Sequence, residues 1–135
     1  MASIAQFRSL ALALPHTEEK SHFGAPDFRV RNKIFAELDV EHVSVILKLA
    51  PELQRMLMDA KPRAFTPAAG AFGRSGWTRV DLTRIGVAEL RALVREAWQR
   101  VAPKRVLAAL EGASRAAAPA RRTTASFQAL RKRIK

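Results

Sequence analysis

Three strand-like segments follow one another between residues 27 and 49, with no room for a helix between them. Phe28 and Val30 alternate with arginines, and apolar residues alternate again from Ile34 to Leu38. Arg31-Asn32 lies where a tight turn is needed, and asparagine tolerates a left-handed backbone. Residues 42–49 continue the alternation as a third strand. Successive strands joined by short turns pair in opposite directions, so these segments predict an antiparallel sheet.

Helical patterns lie on both sides of these strands. Residues 3–14 are predicted to form a helix with Ser3 as a possible N-cap. A second helix is predicted to begin at Pro51 and to end at Pro62. Residues 87–101 carry the clearest apolar stripe, and a short last helix starts at Pro103.

A second strand pair is predicted over residues 64–82, around a pliable, glycine-containing loop at 67–76. The strands are therefore grouped rather than alternating one by one with helices. This order favours an α+β fold of two layers, with helices covering one face of an antiparallel sheet.

The charge distribution divides the chain into two parts. The 135 residues carry a formal net charge of +12, yet residues 1–103 contribute only +4 of it. Residues 104–135 hold nine basic residues and one acidic residue. We therefore predict a compact domain over residues 1–111 and a basic linker and tail over 112–135, and the excess of cations favours a polyanionic partner.

The chain lacks the residues that several functional classes of protein require. The chain has no cysteine, which excludes a disulfide scaffold and a thiol nucleophile, and it has no phosphate-binding, zinc-protease or serine-hydrolase motif. The three histidines lack metal-ligand spacing, and Asp39 and Asp81 are interpreted as charged strand residues facing water. We expect no catalytic residue, metal or cofactor. The absence of a membrane span or secretory signal favours a cytoplasmic location.

The basic residues of the two strand pairs are the better functional signal. By their alternation, Arg29 and Arg31 share a face, and Trp77 shares the face of Arg79. Cations on hairpins can neutralise phosphates, and an aromatic ring can stack on a base. The alternative is that the cations solvate a sheet face while Trp77 covers the core. The candidate nucleic-acid-binding residues of the domain are Arg29, Arg31, Lys33, Arg63, Arg74, Trp77 and Arg79.

The tail is a separate candidate. Ser126 can cap a short amphipathic helix in which Phe127, Leu130 and Ile134 share one side. A nucleic-acid arm, an anionic-membrane binder and an apolar stripe that docks on the domain all fit this pattern, and the first is favoured. The candidate phosphate-contacting residues here are Arg121, Arg122, Arg131, Lys132 and Arg133.

An ordered set of short motifs resembles the MmcQ/YjbR family. The set is FGAPDF at 23–28, KIFA at 33–36, ILKLAPE at 46–52 and WTRVDL at 77–82. The resemblance covers roughly residues 3–110 and implies a CyaY-like α+β fold of bacterial type, described in this family as a double-wing DNA-binding arrangement. The implied wings are the 28–37 and 63–80 hairpins. The family often has glycine in the turn of the first wing, where this chain has Arg31-Asn32.

These observations lead to a non-enzymatic DNA-binding protein as the first functional hypothesis. The two basic hairpins would contact phosphates with little sequence preference, and the tail would add affinity. The alternative is a small-molecule-binding or protein-interaction module of the same fold with no role on nucleic acid.

Overall fold

The computed structural model describes residues 1–22 and 24–108. A helix at the N-terminus is followed by four strands, a helix, two strands flanking a short helix, and a long helix. The elements are α1 (Ile4–Leu12), β1 (Thr17–His22), β2 (Ala25–Val30), β3 (Lys33–Asp39), β4 (Ser44–Lys48), α2 (Pro51–Ala60), β5 (Phe65–Pro67), α3 (Gly70–Arg74), β6 (Trp77–Asp81) and α4 (Val87–Val101). A single 3₁₀ turn, Leu82–Arg84, joins β6 to the approach of α4, and residues 104–108 are again helical.

The strands form one six-stranded sheet in the order β1-β2-β3-β4-β6-β5, and every neighbouring pair is antiparallel. The α+β prediction is confirmed. The helices also begin where the sequence signals place them: Ser3 caps α1 through a capping box with Gln6, and Pro51 opens α2.

The core lies between the sheet and the helices α1 and α4. Trp98 of α4 is fully buried and donates its indole N–H to the carbonyl of Pro15 at 3.1 Å. Phe7 of α1 meets Phe28 of β2 edge to face, with ring centroids 5.0 Å apart. The inward strand residues, including Leu38, are also buried. The helices therefore cover one face of the sheet, and the other face carries Arg79 and Asp81 together with Ile46 and Trp77.

The first hairpin departs from the predicted alternation at one point. The pairing of β2 with β3 shifts register between Phe28 and Arg29. Ile34 consequently lies opposite Arg29, while Phe35 and Ala36 are both fully buried. A bulge places two successive residues against one partner, which a strict period of two cannot anticipate.

The second strand pair also differs in detail. Its connection, predicted as a pliable loop, contains the helix α3. The predicted tail, residues 112–135, lies outside the described residues.

Candidate nucleic-acid interface

Both hairpin connections lie at the same end of the sheet. β3 and β6 are each antiparallel to β4 and therefore run in the same direction. The β2–β3 turn precedes β3 and the β5–β6 connection precedes β6. Both connections therefore lie at the end of the sheet where these two strands start. The order of the strands puts three strand spacings between the two connections, which is about 14 Å.

The first connection is a two-residue turn with both residues in the left-handed region. Arg31 has φ of 49° and Asn32 has φ of 69°, which matches the type I′ turn that suits a twisted hairpin. Arg31 and the following Lys33 are exposed. Within the described part of the chain, neither side chain forms an ion pair.

The second connection is held from beneath by a buried glutamine. The side-chain amide of Gln54 in α2 donates to the carbonyls of Gly73 at 2.9 Å and Trp77 at 3.1 Å. Gly76 has φ of 111°, and a Cβ there would lie 1.9 Å from the carbonyl oxygen of Leu49. The connection can therefore approach the β4–α2 junction only with glycine at this position.

The outer side of the second connection carries an aromatic pair and two cations. Phe72 is 67% exposed and meets Trp77 edge to face at 6.4 Å. The Lys48 ammonium lies 5.9 Å from the Trp77 ring centroid, because Lys48 and Trp77 are register partners in β4 and β6. Arg74 in the last turn of α3 is exposed.

Sequence reasoning did not select Lys48 or Phe72. The motif ILKLAPE and the predicted strand WTRVDL contained the signal for Lys48, but only the β4–β6 pairing brings it to Trp77. We use the name tip surface for the side chains that share this end of the sheet: Arg31, Lys33, Lys48, Phe72, Arg74 and Trp77.

Arg29 is engaged inside its own strand. Its Nε donates to Oδ1 of Asp27 at 2.7 Å, and a second guanidinium nitrogen donates to Oδ2 at 3.0 Å. Asp27 is fully buried, so Arg29 supplies the charge that this carboxylate needs. The hydrogen bond to Asp27 raises the pKa of Arg29 despite the opposing effect of desolvation. Arg29 also donates to the side-chain oxygen of Asn32 at 2.9 Å and thereby braces the turn.

Arg79 and Arg63 lie away from the tip surface. Arg79 Nη1 donates to Asp39 at 2.9 Å and to Ser44 at 2.8 Å, near the end of the sheet opposite the two connections. Arg63, just before β5, lines a depression there with Arg79. The structure therefore divides the predicted cations: Arg31, Lys33 and Arg74 come together, Arg29 is internally paired, and Arg63 and Arg79 lie at the other end.

The remaining predicted binding residues, Arg121, Arg122, Arg131, Lys132 and Arg133, lie outside the described residues. Among residues 1–22 and 24–108, no group of three or more histidine and acidic side chains is arranged to hold a metal ion. None of the helices in that part of the chain has the length and apolar character needed to cross a bilayer.

Comparison with known proteins identifies a similar solved structure and the family of the chain. A solved structure of the Deinococcus radiodurans protein DR2400, with a domain described as DUF419, shares the fold with a TM-score of 0.68 and 24% sequence identity. The match covers 78% of this chain and 82% of that protein. A search of curated proteins found no match. The family model described as YjbR matches residues 12–100, which is well over half of the chain, and the protein therefore belongs to the YjbR family.

Proposed function

We propose that this protein binds the phosphate backbone of DNA through the tip surface, with little dependence on base sequence. The observation that carries the proposal is the gathering of four cations at one end of the sheet with no carboxylate partner among the described residues. These cations are Arg31, Lys33, Lys48 and Arg74. Unpaired cations can release counterions from DNA, whereas a cation already held by a carboxylate gains little.

The spacing of the two connections suits a nucleic-acid backbone. A separation of about 14 Å corresponds to about four base steps at about 3.4 Å each. The aromatic pair Phe72 and Trp77 lies beside the cations and offers a ring face or edge to a sugar or base. The proposed role is binding without catalysis, and a cytoplasmic location is part of the proposal.

The internal pairing of Arg29 and Arg79 sets the expected strength of the electrostatic contribution. Four contacting cations give a slope of log affinity against log salt of about −3.6 from the domain, since each neutralised phosphate contributes about −0.9. The tail can add to this slope in the whole chain, so the useful quantity is the change in slope on neutralising the tip surface.

The test compares two full-length variants with the same loss of charge. The first replaces the four tip cations by glutamine; the control does the same to exposed cations of the helical layer, Arg55, Arg91, Lys104 and Arg105. Affinity for a fluorescent DNA duplex is measured by anisotropy from low to moderate salt. The tip variant should flatten the slope by about 3.6, and the control by less than about 1.

Equal flattening in the two variants would show that net charge rather than the tip surface governs binding. An unchanged slope in the tip variant would refute the proposed surface outright. Both variants should retain the native fold, because none of the eight side chains forms an ion pair in the described structure.

A further inference from the structure

The end of the sheet opposite the tip surface contains a depression of about 370 Å³ on the face that the helices leave uncovered. Three segments build it: the β3–β4 connection, the start of β5 and the end of β6. Its lining is mostly polar or charged, and comprises Asp39, His42, Ser44, Arg63, Ala64, Thr66, Arg79 and Asp81. This volume lies at the low end of the range for small-molecule sites, about 300–1,000 Å³.

The first carboxylate of the depression is satisfied by its neighbours. Asp39 Oδ2 accepts from Arg79 Nη1 and lies 2.9 Å from His42 Nδ1, while its Oδ1 accepts from the backbone N–H of His42 at 3.2 Å. Burial disfavours ionisation of Asp39, but the hydrogen bonds from His42 and Arg79 outweigh it and lower its pKa. The Asp39 carboxylate is thus ionised and already hydrogen-bonded by His42 and Arg79.

The second carboxylate is occupied in the same way. Asp81 Oδ1 accepts from the backbone N–H of Thr83 at 3.0 Å and from its hydroxyl at 2.6 Å. Asp81 Oδ2 lies 3.3 Å from Arg84 Nε. Neither acid is therefore left to repel an incoming anion with its full charge.

Several hydrogen-bond donors that line the depression, by contrast, have no acceptor among the described residues. Arg63 is exposed and forms no ion pair or hydrogen bond with any described residue. Arg79 is ion-paired with Asp39 through Nη1 and so adds little net charge. Its Nε and Nη2 hydrogens, however, have no acceptor in the described structure and can serve as directional donors. The exposed Thr66 is the register partner of Arg79 and brings a hydroxyl beside it.

His42 adds an exposed nitrogen to the same rim. The short contact between its Nδ1 and Asp39 favours the tautomer with the proton on Nδ1. Nε2 is then available to accept from a protonated phosphate oxygen, or to donate when the ring is charged.

From this arrangement we infer that the depression is a binding site for a small phosphate monoester. Arg63, Arg79 and Thr66 supply donors along one side of it, and His42 supplies a nitrogen from the β3–β4 connection. A tetrahedral phosphate presents oxygens in several directions and can meet both sides, whereas a planar carboxylate matches one guanidinium. The inference stands apart from the DNA proposal because it uses none of the tip cations.

The test is a titration of the isotopically labelled full-length protein with ribose 5-phosphate, followed by ¹H–¹⁵N NMR, with ribose as the unphosphorylated control. Amide shifts should concentrate at residues 42–44, 63–66 and 79, and ribose should cause none. Arg63→Gln should weaken binding by at least about tenfold, since it removes a hydrogen bond to a charged group. Thr66→Val should weaken binding by a smaller factor.

Arg91→Gln is the matched control, because it removes the same charge from an exposed position on α4, outside both proposed binding surfaces. It should leave ribose 5-phosphate affinity unchanged. Equal weakening by Arg91→Gln and Arg63→Gln, equal shifts with ribose, or no shifts at about 10 mM ligand would each overturn the inference. Failure here leaves the salt dependence of DNA binding untouched, so the two proposals fail separately.

Discussion

Replacing Gln54 by glutamate would test whether the second connection depends on the glutamine amide beneath it. Gln54 is 5% exposed, and its amide nitrogen faces the carbonyl oxygens of Gly73 and Trp77. Glutamate has the same shape but offers only an acceptor when ionised. Each carbonyl keeps one other donor, the N–H of Gly76 or of Ala68, so the loss falls on the glutamine bonds and the new charge.

The expected magnitude follows from these contacts. Losing two hydrogen bonds costs about 2 kcal/mol, at about 1 kcal/mol each. A buried charge without a partner brings the total for Gln54→Glu to about 3–5 kcal/mol at pH 7. Gln54→Met removes the same donors without adding charge and should cost about 1–2 kcal/mol at any pH.

The pH dependence gives the decisive comparison. Burial raises the pKa of the introduced carboxyl, so its penalty is complete above that folded-state pKa and fades as pH falls towards the ordinary glutamate value of about 4.3. Urea unfolding of both variants and the wild type, followed by tryptophan fluorescence at pH 7 and pH 4, measures this. The reasoning is refuted if Gln54→Glu costs no more than Gln54→Met at pH 7, or if its cost does not shrink at pH 4.

Two further predictions concern single positions. Burial raises the pKa of Glu96 above its ordinary 4.5, with Arg100 opposing, so the native state becomes less stable as pH rises through that window. Glu96→Gln should therefore be more stable than wild type at pH 7 by urea unfolding, and the gain should disappear below about pH 4; a gain that persisted there would exclude the ionisation as its cause. Gly76→Ala should cost more than about 3 kcal/mol, because its Cβ would meet backbone. Gly70→Ala, also at positive φ but in open space, should cost about 1–2 kcal/mol by the same measurement, and similar costs at both sites would show that sterics at Gly76 are unimportant.

The sequence predicted the fold well where local chemistry decides the structure. Ser3, Pro51 and the apolar stripe of 87–101 marked helices that the structure contains, and Arg31-Asn32 marked the first turn. These signals act within a few residues, so a single sequence carries them.

The site was harder to predict because it depends on pairing between distant strands. Asp27 and Arg29 lie two residues apart in one strand, but the burial of Asp27 depends on the neighbouring strands. Asp39 meets Arg79 only because β4 brings β3 and β6 to its two sides. A basic residue that is chosen from its sequence neighbours alone can therefore turn out to be ion-paired with a carboxylate in the fold. Arg63 and Arg74 lie in the same predicted hairpin but at its two ends, since Arg63 precedes β5 and Arg74 lies in the connection that follows it.

The outer strands of the sheet have a consequence for the behaviour of the protein in concentrated solution. β1 carries the charged run Glu18-Glu19-Lys20, and at the other border β5 is three residues long and finishes at Pro67, which has no N–H to offer. Charges, brevity and proline each discourage a second molecule from adding its own strand. Self-association by sheet extension is therefore disfavoured at both borders, which keeps exposed backbone from seeding aggregates.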